Sequence, residues 1–438
     1  YTFAPIGSSQ RRYGQKVARR YIGSFTKSGR RMADVYGLAE LAFSHARDVP
    51  ELDVIPLFEQ LEDLENCVTV LDGMLQLPAV QRRLAQTGRR MEVMLGYSDS
   101  SKDAGPVSAT LALHSAQERL ARWAEERGID VVLMHGRGGA VGRGGGPANR
   151  AVLAQPKGSV NCRFKVTEQG EVIFARYGNR SLALRHIESV AAATLMNSAP
   201  SVERVNTEAS VRFPDVAARL NEAAYERSLD LLHTDGFAPW FPTVTPLAVV
   251  GLLPIGSRPA KRGLGAQSLD DLRTIPWAFS WPQARINLAA WYGLGAACER
   301  VGDLELLQRA YREWPLFATF VDNVEMSIAK TDARLAKMYL ALGDRDDLAQ
   351  AVFDEMQLTR SWALAIVGDE WPLQHRRVLG CAIRVRNPYV DALSLAQVRA
   401  LRVIRNRQEE LSDEVKTEYL GLILATVTGV SAGLQNTG

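Results

Sequence analysis

The chain has 438 residues, 46% of them hydrophobic and 23% charged, with a formal net charge of only +3. That is enough apolar material for a large core, in one big domain or two or three ordinary ones. The charge balance gives no reason to propose nucleic acid or a membrane surface as a partner.

The opening, YTFAPIGSSQRRYGQK, is too polar and too basic for a secretory signal. It also lacks an initiator methionine, so the chain is expected to be the latter part of something longer. From residue 20 to 180 short apolar runs alternate with amphipathic stretches. The runs are YIGSFTKS (21–28), DVIPLFE (53–59), MEVMLGYSD (91–99), DVVLMHGRGG (130–139) and FKVTEQGEVI (164–173). The last four are short, rich in Val, Ile, Leu or Met, and followed by polar or glycine-rich sequence, as buried strands are, while YIGSFTKS carries a weaker form of the signal. The best helical pattern lies between the third and fourth runs, where Leu113, Ala116, Leu120 and Trp123 share one face. Pro106 suits its first turn and Gly128 its C-terminal cap. Strand–helix units of this size imply a parallel sheet, open or closed into a barrel.

Beyond residue 181 the strand signal fades, and segments such as 201–233 and 326–356 read as helices. The expected fold is therefore α/β, with part of a β/α (TIM-type) barrel over 1–180 and a mainly helical region over 181–438. The apolar end, Tyr419–Gly438, is interrupted by Gly421, Gly429 and Gly433 and is slightly short for a membrane span. It reads as a buried segment. Cys67, Cys162, Cys298 and Cys381 lie far apart with no CxxC pair, which favours reduced cytoplasmic thiols over a disulfide or zinc framework.

In parallel β/α architectures chemistry gathers at the C-terminal ends of the strands. Glu59, Asp99 and His135 each close an apolar run here. The two acids supply hard oxygen ligands for a divalent cation such as Mg²⁺ or Mn²⁺. The bland alternative for Glu59 is solvent, because FEQLEDLEN holds several acids. Lys102, three residues after Asp99, is a candidate for neutralising an anion. From Gly136 to Gly146 seven of eleven residues are glycine, which lets backbone N–H groups approach a ligand closely. Arg137 and Arg143 add guanidinium forks matched to phosphate or carboxylate oxygens. A P-loop is excluded because GxxxxGK[ST] is absent. Arg258 and Arg273, in LLPIGSRPAKRG and SLDDLRTIPWAFSW, are further anion-binding candidates.

Taken together, LGYSDSSKDAG, HGRGGAVGRGGGP, VTEQGEVI, IGSRPAKR, LRTIPWAFSW and the terminal QNTG resemble the motif series of phosphoenolpyruvate carboxylase, in that family's order. The resemblance implies a β/α barrel enzyme, a lyase that converts phosphoenolpyruvate and bicarbonate to oxaloacetate and phosphate with Mg²⁺ or Mn²⁺. It places the metal on Glu59 and Asp99, and the substrate phosphate on Arg137 and Arg273 with Arg258 close by. Lys102 would lie near the reacting anions, and His135 and Arg143 would serve carboxyl transfer. Leu57 and Met94 would line a carbon dioxide pocket. The resemblance further implies a cytoplasmic homotetramer inhibited by an acidic metabolite such as aspartate or malate, bound by Lys330, Arg386, Asn436 and Arg143.

The chain departs from that pattern in one large respect. The family's Ala-His-Pro-Thr motif belongs to the half that precedes these motifs, and none of the six histidines here is followed by Pro-Thr. Pro242 and Pro254 also replace usual family residues, in connecting segments. Two readings follow. The chain is the C-terminal half of a carboxylase that needs its N-terminal half, or it is a non-catalytic effector-binding or scaffold protein derived from the family.

Overall fold

The computed structural model describes residues 3–24, 26–43, 49–136, 148–168, 170–252, 274–407 and 409–435. Five strands form one sheet in the order β1 (Arg20–Gly23), β2 (Asp53–Phe58), β3 (Arg90–Leu95), β4 (Asp130–His135) and β5 (Lys165–Val166). Every pairing is parallel, as strand–helix alternation requires, because parallel neighbours need a crossover. The remainder is helical. The fold is α/β, and the described strands form neither a second sheet nor an antiparallel pair.

Paired residues in a parallel sheet point to the same side, so the register sorts the side chains into two faces. One face carries Val54 and Phe58, Met91, Val93 and Leu95, and Val131 and Leu133. All are buried, and they share a core with Leu64, Leu71, Met74, Leu113 and Trp123 from the crossover helices. The opposite face carries Arg20 and Ile22, Asp53, Ile55 and Leu57, Arg90, Glu92 and Met94, Asp130, Val132 and Met134, and Lys165. Its lower rim is a chain of ion pairs. Arg19 Nε lies 2.8 Å from Asp53 Oδ2 in an ion pair and Arg90 Nε donates to Asp130 Oδ2 (3.3 Å), while Arg163 pairs with the same Asp130. Glu92 accepts from Arg20 Nε (2.9 Å) and also pairs with Lys165. Thus β1 and β5, each two strands from β3, reach one carboxylate over it.

The helix Ser98–Arg127 ties this layer to the rest of the chain. It kinks at Gly105, whose φ of 78° lies in the left-handed region, and the next residue, Pro106, starts a fresh helical turn. A Cβ at Gly105 would lie 2.1 Å from Ser228 Oγ on the helix Pro214–Leu232, so only glycine fits there. Beyond the kink Val107 joins a second core, while Leu113, Ala116, Leu120 and Trp123 stay with the sheet. Gly128 caps the helix with φ 60°.

The second core is built on helices and the turns between them, without a strand. At its centre Phe237, Trp240 and Phe241 of the helix Phe237–Val244 pack on Trp277 and Trp281 of the helix Thr274–Gln283, with Phe241 4.7 Å from Trp277 and 4.9 Å from Trp281 between ring centroids. The aromatic part of the RTIPWAFSW motif is therefore core.

Two expectations need correction. The fifth apolar run does not continue as a strand. Pairing of β5 ends at Val166, and the helix Gly170–Tyr177 takes up GEVI. The apolar C-terminal run is not short either: the helix Asp413–Leu434 has 22 residues and, by length and hydropathy alone, could cross a membrane. Its Ile423 and Val427 are instead fully buried in the second core, and Val430 and Leu434 pack on Val390 of the helix Arg377–Asn406. The four cysteines are free thiols, Cys67 and Cys298 buried, Cys162 and Cys381 exposed.

Candidate active site

The strand ends bring Glu59, Gly96, His135, Gly136 and Glu168 to one rim of the sheet. Glu59 follows β2 directly and is 7% exposed. The sequence allowed its neighbours to explain the acids of FEQLEDLEN, and the structure separates them. Asp63 caps its own helix in a reciprocal box with Gln60, Glu62 pairs with Lys27 in solvent, and Glu59 alone is held at the strand end. Gly96 N donates to Phe58 O (2.8 Å), and a Cβ at Gly96 would lie 2.7 Å from Glu59 Cβ. The backbone after β3 thus runs against the carboxylate-bearing residue, a clearance only glycine gives.

Asp99 lies in the first turn of the helix Ser98–Arg127 rather than on the strand; its side chain is outside the described residues. Lys102 stands in the same short segment ahead of the Gly105 kink. It is 6% exposed, and its Nζ lies 3.3 Å from Asp103 Oδ1. A lysine that far from solvent is not the ordinary surface kind.

His135 ends β4 with its imidazole buried, 5.1 Å from the Phe164 ring between centroids. Burial lowers its pKa to about 4, which leaves it neutral near pH 7. Its carbonyl accepts from Thr167 N (3.0 Å), and Gly136 N donates to Leu95 O (2.9 Å), so the strand ladder runs to the edge of the glycine-rich segment. Leu57 and Met94 are a register pair on the open face of the sheet, and Met134 pairs with Met94 on the next strand. These three apolar side chains form one row just below the rim.

Arg137, Arg143, Arg258, Arg273 and Asn436 lie outside the described residues. Helices start directly after two of those segments: Ala148–Leu153 follows the glycine-rich run and Thr274–Gln283 follows Arg273.

Sequence reasoning missed Glu168. It stands two residues beyond β5, where the same strand-end argument would have found it. It accepts from His186 Nε2 (3.1 Å) and pairs with Arg176. Burial alone would push this carboxyl up, but bonds from Tyr177, Arg176 and His186 hold it below the usual range. An open cavity of about 1440 Å³ extends from here along the open face, touching Asp53, Glu92, Val132, Lys165 and Ile187.

A separate group, Asp322, Glu325 and His375, brings its ligand atoms within 4.8 Å of one another. Its donor set does not suit a metal ion. Asp322 already accepts from Tyr311 Oη (2.7 Å) and Arg150 Nη1 (2.9 Å) and pairs with Arg376. Glu325 Oε1 accepts from Leu373 N (2.6 Å), and His375 Nδ1 is bonded to Asp369 Oδ2 (2.6 Å). Two guanidinium groups occupy the place a cation would take.

At the far end of the helix Pro315–Lys330 two cations stand together. Lys330 is 2% exposed, and burial, with the Arg386 charge beside it, lowers its pKa to about 7. Burial also lowers the pKa of Arg386, whose Nη1 is buried with no hydrogen-bond partner. A buried lysine beside a half-buried arginine with a free donor forms a site for an anion.

The sequence model of the family described as phosphoenolpyruvate carboxylase matches residues 1–438. The chain belongs to the phosphoenolpyruvate carboxylase family. It is 38% identical to phosphoenolpyruvate carboxylase of Roseiflexus castenholzii over 462 residues, covering 100% of this chain and 48% of that protein. The proteins of the same name from Xanthomonas euvesicatoria and Gloeobacter violaceus are each 37% identical, again over 100% of this chain and 48% of theirs. The chain spans about half the length of the curated relatives it matches.

Proposed function

We propose that this chain carries the C-terminal half of a phosphoenolpyruvate carboxylase site, which forms oxaloacetate and phosphate from phosphoenolpyruvate and bicarbonate. The observation that carries the reading is the strand-end rim, where buried Glu59, buried Lys102 and a neutral His135 follow or close β2, β3 and β4, with His135 leading in sequence into the glycine-rich segment. Glu59 and Asp99 would hold Mg²⁺ or Mn²⁺: the donors are hard oxygens, and the close packing of Gly96 on Glu59 fixes the backbone that carries the first of them. Such an ion supplies charge neutralisation for phosphoryl transfer. Arg137 and Arg273, with Arg258 and Lys102 near them, would hold and orient the anions. His135, neutral at working pH, would accept a proton at a ring nitrogen as phosphate leaves the carboxyphosphate. Arg143 would stabilise the same step. The row of Leu57, Met94 and Met134 supports an apolar carbon dioxide pocket that keeps water from the enolate of pyruvate.

The five strands belong to a β/α barrel in this reading, with residues 1–180 as its C-terminal portion and 181–438 as a helical region. Arg20 and Lys165 converging on Glu92 support curvature, since in a flat sheet each parent strand would lie about 9.6 Å from β3. The missing strands and the histidine motif would come from the preceding half, seated on the open face. The apolar surface beside that face supports such a seat: Phe174 is 83% and Leu195 64% exposed. Lys330 and Arg386, with Asn436 and Arg143, would take an inhibitory dicarboxylate such as aspartate. A cytoplasmic homotetramer completes the reading.

The test is an assay of oxaloacetate formation by the chain with and without a polypeptide supplying the preceding half. Activity is expected only from the pair. Full activity from the chain alone would overturn the need for a second half, and an inactive pair that still binds aspartate would favour the effector-binding reading.

A further inference from the structure

The helix Ala148–Leu153 is the first described element after the glycine-rich segment, and it is fastened at its C-terminal end and through Arg150. Asn197 Nδ2 donates to the carbonyls of Val152 (3.0 Å) and Gln155 (3.2 Å), and Asn206 Nδ2 to those of Leu153 (2.9 Å) and Gln155 (3.0 Å). These amides satisfy carbonyls that a helix end leaves open. On its other side Arg150 reaches Asp322, which lies eight residues before Lys330 on the helix Pro315–Lys330, about 12 Å along its axis. The Lys330 end is itself fixed, since Arg285 Nε donates to Lys330 O (3.1 Å) while its guanidinium pairs with Asp391.

We propose that the Arg150–Asp322 pair is the link through which a small dicarboxylate held by Lys330 and Arg386 acts on the helix that follows the glycine-rich segment. The proposal rests on the regulatory reading of that cation pair. Asp322 suits the role because it is 3% exposed and held from three directions, by Tyr311, Arg376 and Arg150. A shift of its helix therefore moves the carboxylate as a fixed post. Of its three partners only Arg150 stands on the helix that follows the glycine-rich segment, so it is the one that carries that shift there. The Arg150 side chain is 56% exposed, so the pair adds little to stability. Its effect is expected in coupling between two sites, which is a separate free energy. Removing Arg150 leaves Asp322 still compensated by Arg376 and Tyr311, so the variant retains its fold.

The experiment follows hydrogen–deuterium exchange of the 148–155 peptide in the 438-residue chain with and without L-aspartate, with affinity measured by calorimetry. In the unsubstituted chain aspartate slows exchange there by about fivefold or more. Arg150→Ala binds aspartate with similar affinity but loses that protection, Asp322→Asn loses it too, and Arg150→Lys restores part of it. Protection that persists in Arg150→Ala overturns the link, as does binding without protection in the unsubstituted chain. Absence of any aspartate binding in calorimetry sinks the regulatory reading, and the link with it.

Discussion

Glu59 and Gly96 are in contact across β2 and β3, with no room for a methyl group between them. A Cβ at residue 96 would meet Glu59 Cβ at 2.7 Å and Glu59 Cα at 3.1 Å, so neither a side-chain rotation nor a small shift relieves both. Gly96→Ala should therefore cost about 1–3 kcal/mol in denaturant unfolding, the usual range for overpacking. It should also weaken Mn²⁺ binding followed by electron paramagnetic resonance, because the displaced residue is the proposed ligand. Unchanged Mn²⁺ affinity in a destabilised variant would remove Glu59 from the metal site.

Two buried histidines set the acid limb of stability. His135 and His114 both have pKa values lowered to about 4 by burial. At these two sites the unfolded chain therefore binds more protons than the folded one between pH 6.5 and 4. Stability is complete above the unfolded value and falls as pH drops through that window. Each group would contribute on the order of 3 kcal/mol to the loss. The urea midpoint should fall steeply from pH 6.5 to 4, and His135→Phe should remove about half of the slope. A variant that keeps the full slope would show that His135 is not held neutral.

How far the sequence reached depends on the range of each interaction. β1 to β4 and the helix Ser98–Arg127 were legible because their signals are local: apolar runs, a first-turn proline and a capping glycine. The fifth run misled because GEVI is as apolar as a strand, and only the lack of a pairing partner beyond Val166 decides for helix. Glu59, Lys102 and His135 could be placed at strand ends, but their burial could not be read. Arg150 with Asp322 was invisible, since the two are 172 residues apart and neither sits in a recognisable motif. The same holds for Glu92, whose partners Arg20 and Lys165 are 72 and 73 residues away.

That Glu92 cluster makes the next prediction. Glu92 is 11% exposed at its side chain and serves both Arg20 and Lys165. Glu92→Gln keeps the shape but removes the charge, leaving two cations on one face. Arg20 is about half exposed, which screens much of the effect, so a loss of about 1–2 kcal/mol is expected in urea unfolding. High salt should shrink the difference between variant and parent. A substitution without effect at low salt would mean that the convergence over β3 does not hold the sheet.

Lys330 gives the opposite pH signature to an ordinary surface lysine. Its folded pKa is lowered to about 7, chiefly by burial and then by Arg386, against an ordinary value of 10.5. Between those two values the unfolded chain holds a proton that the folded chain has released. Stability without ligand should therefore rise as pH goes from 7 towards 10. Lys330→Met keeps an unbranched apolar stem in the cavity and removes the proton, so its melting temperature should lose that rise. The same substitution should abolish aspartate binding in calorimetry, because the anion would lose the buried one of its two cations. In the parent chain affinity should weaken above pH 7, as the ammonium deprotonates before ligand arrives, and binding there should be accompanied by proton uptake. Buffers of different ionisation enthalpy measure that uptake directly. Binding at pH 8 with no proton uptake would mean that Lys330 is already charged in the free protein, and that burial does not lower its pKa.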